Sequence, residues 1–145
     1  GPGDNVDLQS SHVLPALIRK VHEDKVNHSK QVEVWGSGKP FREFLYVEDM
    51  AEACCYLMEN YNDESIINIG TGQDVSIKAL AELIKDIIGY EGNIVFDSSK
   101  PDGTPKKVTD VTKIKASGWQ STTSLQAGLE KTYAWYLKNA PKALA

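Results

Sequence analysis

Residues 32–53 read VEVWGSGKPFREFLYVEDMAEA, and the rest of the chain is organised around this segment. Its first part, VEV, alternates apolar and polar residues, and residues 44–47 are again β-prone. The glycine-rich stretch between them, residues 36–40, predicts a turn that joins two short strands. The acidic pair that follows predicts a helix over residues 48–60, because acids are favoured at a helix N-terminus.

Arg42 follows the predicted turn and Trp35 precedes it. A guanidinium suits bidentate binding of phosphate oxygens, and an indole offers a flat apolar face to a sugar or a base. The pair therefore predicts a phosphorylated ligand. The alternative is that Arg42 pairs with Glu43 or Glu48 on the surface and that Trp35 is an ordinary core residue.

Four segments carry a resemblance to a known family. WGSGKPFREFLYVEDMAEA is similar to the W-G-[ST]-G-x-P-x-R-E-F-[LI]-[HY]-V-x-D segment of extended short-chain dehydrogenase/reductases that act on nucleotide-sugars. The other segments are GPGDNVDLQSSHVLPALIRKVHE, INIGTGQDVSIKALAELI, and VFDSSKPDGTPKKVTDVTKIKASGW followed by LQAGLEKTYAWYL. SSHVLPALIRK and SKPDGTPKK are the discriminating pieces, and with them the chain most resembles the GDP-L-fucose synthase family.

The resemblance implies an α/β fold in which residues 1–145 form the nucleotide-sugar (substrate) binding domain, the C-terminal part of an extended short-chain dehydrogenase/reductase. Short strands are predicted to alternate with helices. The sequence has no G-x-x-G-x-x-G turn after a strand and no Tyr-x-x-x-Lys pair. We therefore expect the N-terminal dinucleotide-binding (Rossmann) domain to be missing from this chain, and NADP to be bound mainly by that half.

The activity that the resemblance implies is that of an NADPH-dependent 3,5-epimerase/4-reductase converting GDP-4-keto-6-deoxy-D-mannose to GDP-L-fucose. The GDP-sugar is the expected partner, and a homodimer is expected for the full-length protein. The isolated chain is expected to be inactive. Two alternatives stay open: another nucleotide-sugar epimerase or dehydratase of the superfamily, and a non-catalytic nucleotide-sugar-binding module.

His12 is the candidate catalytic residue. Its position, at the exposed start of a helix that Ser10 or Ser11 is predicted to cap, is one at which an imidazole can transfer protons near neutral pH. Composition alone favours a cap or a surface residue. The resemblance implies instead that His12 is an acid in the epimerisations and that it also contacts the cofactor. His22 and His28 match no such position and are predicted to be solvated.

Lys20 is the expected substrate contact on this helix, because the resemblance implies a basic residue there. Helical periodicity alone would choose Arg19, which lies almost under His12. Asp102 resembles the family's contact to the nucleotide or sugar, and its alternative is an ordinary Asp-Gly turn. The 70–72 turn, GTG, lacks a third glycine and is predicted to be a tight turn rather than a phosphate cradle.

Composition limits the function classes. With 145 residues, 41% hydrophobic and a net charge of −4, the chain is predicted to be one ordinary globular domain without a nucleic acid partner. No apolar run approaches the roughly 20 residues that span a bilayer, and no metal-ligand spacing is present. Cys54 and Cys55 are adjacent on a predicted helix, which indicates buried thiols in a reducing cytoplasm.

The remaining predicted elements follow from periodicity and caps. They are a helix over 13–25, a strand over 66–69, a helix from Ser76 to Gly89, a strand over 94–96, a short helix after Asp110 and a last helix over 125–137. In the helix over 48–60, we expect one face to pack against the dinucleotide half; its residues are Met50, Ala53, Cys54 and Leu57.

Overall fold

Helices and short strands alternate along the chain in the computed structural model, which describes residues 1–143. In order, the elements are α1 (Val13–Val26), β1 (Gln31–Trp35), β2 (Phe41–Glu43), α2 (Val47–Asn60), β3 (Asp74–Ser76), α3 (Ile77–Ile88), β4 (Asn93–Asp97), β5 (Lys106–Lys107), α4 (Thr112–Ala116) and α5 (Leu125–Ala143). The α/β class predicted from the sequence is confirmed.

The strands form two separate small sheets. β1 pairs in parallel with β4, so that Val32 lies opposite Ile94 and Val34 opposite Phe96. In the second sheet β2 lies in the middle, antiparallel to β3 and parallel to β5, with the order β3-β2-β5. Arg42 therefore occupies the central strand of the second sheet.

Residues 36–40 join two short strands, as predicted, but the two strands do not pair with each other, and the second does not cover the β-prone residues 44–47. β1 and β2 lie in different sheets, and the second strand ends at Glu43. The reason is tertiary: the carbonyl oxygens of Gly38 and Pro40 accept hydrogen bonds from the first N–H groups of α3, at 2.9 Å each. The turn thus caps α3 instead of closing a ladder between its flanking strands.

Two apolar clusters hold the fold together. The larger one lies between α1, α3, α5 and the β1–β4 pair, and its fully buried members include Val21, Val32, Leu80, Ile84 and Tyr136. The smaller one joins α2 to α4 and the loop that follows it; its buried members are Ala53, Val111, Ile114 and Trp119.

The capping residues in the sequence predict both ends of α3 correctly. The Ser76 side chain accepts a hydrogen bond from Ala79 N at 3.1 Å, and Gly89 ends the helix in the left-handed conformation with φ 68°. At α1 the cap prediction is wrong, because His12 and not Ser10 or Ser11 is the N-cap residue. The Ser10 hydroxyl instead donates to the carboxylate of Asp7, in the preceding loop.

The strand predicted over residues 66–69 is also wrong. Ile67 and Ile69 pack against the smaller cluster and Ile66 is exposed, so the side chains alternate as in a strand. The backbone of these residues has no ladder partner within residues 1–143. Apolar alternation reports which side chains are buried, whereas a strand also needs a neighbouring strand.

The thiols of Cys54 and Cys55 are exposed, so the prediction of buried thiols is wrong. The inner face of α2 is centred on Ala53, and the smaller cluster does not extend to the cysteine side of the helix. His22 was expected to be solvated and is half-buried between α1 and α5. Its Nδ1 lies 3.0 Å from the Tyr133 hydroxyl, and burial lowers the pKa of this histidine.

Candidate functional site

A groove of about 410 Å³ lies beside the indole of Trp35, which is 60% exposed. One wall comes from the segment between Leu8 and Lys20, and the other comes from the end of β1. The ammonium groups of Lys20 and Lys100 lie 5.1 Å and 5.5 Å from the Trp35 ring centroid. Two cations beside one flat apolar face suit a ligand that combines a ring with phosphate.

His12 lies between two residues that line this groove, Ser11 and Val13, but does not line it itself. Its side chain is exposed. As the N-cap residue of α1, His12 makes no side-chain cap hydrogen bond. The structure therefore places the candidate catalytic residue beside the groove in the chain and leaves its side chain exposed to solvent. Ser11 Oγ is buried and has no hydrogen-bond partner among the described residues.

The structure separates the two basic candidates on α1. Arg19 Nε donates to Glu23 at 2.7 Å, and one terminal nitrogen donates to the Val6 carbonyl, so its guanidinium serves packing within the fold. Lys20 lies at the groove beside Trp35. Periodicity around His12 favoured Arg19, but it took no account of the loop before α1, which engages Arg19.

Arg42 lines a different cavity, of about 240 Å³, which Thr71, Gln73 and residues 121–125 also line. One terminal nitrogen of Arg42 donates to the carbonyls of Phe41 and Thr104, at 2.7 Å each. These two bonds fix the direction of the guanidinium. The cavity and the Trp35 groove share no lining residue.

The alternative in which Arg42 pairs with Glu43 or Glu48 is wrong. No salt bridge of Arg42 is present among the described residues. Glu48 lies 4.0 Å from Lys131, and the Glu43 carboxylate accepts hydrogen bonds from backbone N–H groups elsewhere. Trp35 is not an ordinary core residue either, because most of its side chain is exposed.

Asp102 is exposed, and its carboxylate accepts hydrogen bonds from Ser37 N at 2.6 Å and from the Ser37 hydroxyl at 2.7 Å. The Ser37 hydroxyl is the main reason that the pKa of Asp102 is lowered. The turn needs glycine here, since a Cβ at Gly36, with φ +89°, would lie 2.6 Å from the carboxylate. Asp102 thus fixes the turn that follows Trp35.

Residues 70–72 form a bend between an irregular segment and β3, not the tight strand-to-helix turn that the sequence predicts. The backbone N–H groups of Thr71 and Gly72 point at Oε1 of Glu43, at 2.5 Å and 2.9 Å. The position that a bound phosphate would take in a cradle is occupied by a side chain of the protein itself.

Two features were missed at the sequence level. The place of Lys100 beside Trp35 depends on a loop far away in sequence, and no motif indicates it. Sequence position suggests a surface charge at Glu43 and a helix-start charge at Asp49, but Asp49 is only 4% exposed. Among residues 1–143 there is no cluster of three or more potential metal ligands, and no helix is long and apolar enough to cross a membrane.

Comparison with known proteins relates this geometry to a family. The model of the NAD dependent epimerase/dehydratase family matches residues 1–70. GDP-L-fucose synthase 1 of Arabidopsis thaliana is 52% identical over 96% of this chain. The chain is similar to GDP-L-fucose synthases over nearly its whole length. The resemblance inferred from the motifs is therefore confirmed.

Two further relatives agree. The GDP-L-fucose synthase of Escherichia coli (strain K12) is 48% identical over 96% of the chain. The crystal structure of a GDP-L-fucose synthetase from Naegleria fowleri bound to NADP superposes with a TM-score of 0.92 at 35% identity, and it covers 100% of the chain. The chain spans 43% of the Arabidopsis relative and 46% of each of the other two.

Proposed function

We propose that this chain is the substrate-binding part of an NADPH-dependent 3,5-epimerase/4-reductase that converts GDP-4-keto-6-deoxy-D-mannose to GDP-L-fucose. The observation that carries the proposal is the exposed indole of Trp35 with the ammonium groups of Lys20 and Lys100 close to it, in a groove that the chain neighbours of His12 line. The similarity to GDP-L-fucose synthases supports the same substrate class.

In this proposal the GDP-sugar contacts both the Trp35 groove and the separate Arg42 cavity. Trp35 packs against a ring of the ligand, and the two lysines neutralise phosphate charge. Arg42 binds phosphate oxygens with the guanidinium nitrogens that its two carbonyl contacts leave free. Asp102 contacts the nucleotide or sugar from the edge of the turn that it holds through Ser37.

His12 carries the proton chemistry of this chain. The 4-keto group of the substrate acidifies the hydrogens on the neighbouring carbons, so that protons at carbons 3 and 5 can be exchanged. His12 donates a proton to one face of the sugar, and a cysteine of the dinucleotide half acts on the opposite face. The imidazole of this N-cap residue is exposed and makes no cap hydrogen bond, which leaves it free for that role.

Glu43 fills the 70–72 segment, so this segment does not offer a phosphate cradle. The chain spans 46% of the NADP-bound relative, and we assign NADP binding mainly to a dinucleotide-binding domain of the longer protein, with His12 as a contact from this chain. NADPH, when bound, supplies the hydride that reduces the ketone. A homodimer of the full-length protein and a cytoplasmic location belong to the same proposal.

The test is an assay of the full-length protein with NADPH and GDP-4-keto-6-deoxy-D-mannose, in which the sugar product is identified by chromatography. The matched control replaces the GDP-sugar by its UDP-linked counterpart. We expect GDP-L-fucose only from the GDP-linked substrate. Preference for the UDP-sugar would favour another epimerase or dehydratase, and binding without turnover would favour a non-catalytic module.

A further inference from the structure

The Glu43 carboxylate connects β2 to two loops. Oε1 accepts from Thr71 N and Gly72 N, and Oε2 accepts from Thr109 N at 2.5 Å. A Cβ at Gly70 would lie 2.4 Å from Oε1, so the loop approaches the carboxylate as closely as a glycine allows. Burial alone would raise the pKa of Glu43, but the donated backbone hydrogen bonds outweigh it and lower the pKa.

The Asp49 carboxylate makes an equivalent connection at the start of α2. Oδ2 accepts from Thr122 N at 3.1 Å and from Thr123 N at 2.9 Å, and Oδ1 accepts from the Thr123 hydroxyl at 2.6 Å. These residues lie just before α5. Asp49 thus joins the first turn of α2 to the segment that leads into α5.

Both anchored loops line the Arg42 cavity. Thr71 belongs to the loop that Glu43 holds, and Thr122 and Thr123 belong to the loop that Asp49 holds. Arg42 itself precedes Glu43 in β2. Two walls of the Arg42 cavity therefore depend on two acidic side chains of the same sequence segment.

We propose that Glu43 and Asp49 are positioning residues of the substrate site, and that their carboxylates, by accepting backbone hydrogen bonds from two loops, fix the cavity in which Arg42 binds the diphosphate of the ligand. This proposal rests on the proposed function for the identity of the ligand. Neither acid touches the ligand. Glu43 also fills the 70–72 turn and so keeps an anion from binding there instead of at Arg42.

Binding of GDP to the full-length protein, measured by calorimetry, tests the proposal. We expect Glu43→Ala and Asp49→Ala to weaken GDP binding by roughly 10- to 100-fold, the usual effect of misplacing a binding group, and to leave NADPH affinity unchanged. Glu48→Gln is the matched control, because this neighbouring acid is exposed and lies 4.0 Å from its closest basic partner. It should bind GDP as the wild type does.

Conservative variants separate positioning from charge. Asp49→Asn keeps an oxygen for both N–H groups, and its amide can donate to the Thr123 hydroxyl, so we expect it to restore GDP affinity fully. Glu43→Gln keeps one oxygen for the 70–72 turn but places an amide against Thr109 N, so we expect partial recovery. Failure of Asp49→Asn to bind better than Asp49→Ala would overturn the positioning role of this residue.

A double-mutant cycle with Arg42→Ala shows whether Glu43 acts through the arginine. If it does, Glu43→Ala costs much less GDP affinity in the Arg42→Ala background than in the wild type. An equal loss in both backgrounds would overturn the proposal, as would a lowered melting temperature with unchanged GDP affinity. Should an alanine variant fail to fold, Glu43→Gln takes its place in the cycle.

Amide hydrogen exchange in the ligand-free full-length protein separates this proposal from the proposed function. Exchange at Thr71, Gly72 and Thr109 should accelerate in Glu43→Ala, and exchange at Thr122 and Thr123 should accelerate in Asp49→Ala. Unchanged exchange would overturn the proposal even if GDP binds. Accelerated exchange together with a wild type that binds no GDP would support the anchoring of the loops and would count against the proposed function alone.

Discussion

His12 is an exposed histidine whose chain neighbours line the groove beside Trp35. His12→Asn in the full-length protein is expected to leave NADPH and GDP-sugar binding nearly intact and to lower turnover by roughly 10²–10⁴-fold, the usual contribution of a general acid. Steady-state rates and binding titrations measure the two effects separately. His28→Asn, a substitution at an exposed histidine far from the groove lining, is the control, and product formation at the wild-type rate in His12→Asn would refute the role.

Arg42 is held by two backbone carbonyls and has no acidic partner among the described residues. Arg42→Ala is therefore expected to weaken GDP-sugar binding by about 1.5–3 kcal/mol through the loss of a charge-assisted contact. NADPH affinity should not change. Calorimetry measures both.

Lys107→Ala provides the matched control for Arg42. Lys107 lies opposite Arg42 in the β2–β5 register and is exposed, so the substitution removes a nearby positive charge but no guanidinium. We expect a much smaller change in GDP-sugar affinity. Equal losses of GDP-sugar affinity in the two variants would mean that Arg42 acts only through the positive electrostatic potential of the region. A loss of NADPH affinity in Arg42→Ala as large as the loss of GDP-sugar affinity would contradict a substrate-specific contact.

How far the sequence predicts these residues depends on the range of the contacts. Their positions in the sequence motifs indicate Lys20, Trp35 and Arg42 as candidates, although helical periodicity alone favours Arg19 over Lys20. The contacts of Glu43 could not be predicted, because its carboxylate meets Thr109 across 66 residues of chain. Such partners follow from tertiary packing and leave no spacing to recognise.

At the scale of elements, α3 was the best-predicted part of the fold because all its signals are local. Its N-cap Ser76, its apolar face and the left-handed Gly89 lie within the helix or next to it. The strands on either side of residues 36–40 do not pair with each other, and the carbonyls of Gly38 and Pro40 accept hydrogen bonds from α3 instead. Propensity located the strand in β1 but could not choose its partner, and the parallel pairing with β4 connects residues 62 positions apart, as in Gln31 with Asn93.

The hydrogen bonds by which Asp49 connects α2 to the segment before α5 should make the stability of the protein depend on pH. Burial by itself would raise the pKa of Asp49, but its hydrogen bonds from Thr123 and Thr122 outweigh this and lower it. A carboxyl group whose pKa is lower in the folded state adds stability above its ordinary pKa, about 4, and loses that contribution as the pH falls through the folded value. We therefore expect the free energy of unfolding to fall below about pH 4.

Asp49→Asn separates the contribution of Asp49 to the pH dependence of stability from that of the other acids. The amide does not titrate, so the decrease in stability between pH 5 and pH 3 should be smaller in the variant than in the wild type. Urea unfolding at several pH values, followed by circular dichroism, measures the difference. Parallel pH profiles for the two proteins would show that Asp49 has the same pKa in the folded and unfolded states.

At the scale of the whole molecule, one side of α2 is incompletely covered. Of the face predicted to be left for the dinucleotide half, Ala53 is fully buried and Leu57 packs against the smaller cluster, so the prediction is wrong for these two residues. Met50 is 39% exposed and Cys54 is exposed, and beside them Val47 is 46% exposed and Met58 is 86% exposed. We propose that the dinucleotide half of the longer protein covers this side. In the isolated 145-residue chain, a few hundred Å² of uncovered apolar surface at roughly 25 cal/mol/Å² corresponds to several kcal/mol, comparable to a domain's net stability.

The isolated chain is therefore expected to be inactive, to bind an apolar dye and to self-associate. Light scattering measures the self-association and dye fluorescence measures the dye binding. The double variant Met50→Glu/Met58→Lys should reduce both if the exposed side of α2 is responsible. A monodisperse monomer that binds no dye and unfolds cooperatively would contradict the assignment of this chain as part of a larger fold.

The exposure of Trp35 also has an optical consequence. Trp119 is buried and Trp135 is partly buried, so Trp35, at 60% exposed, supplies the indole most exposed to water. A ligand seated on that ring should displace the water and shift the emission of the protein to shorter wavelengths, in a titration that needs no label. Trp35→Phe should abolish the shift. The fluorescence of Trp35 would then measure substrate binding directly at the residue proposed to contact the substrate.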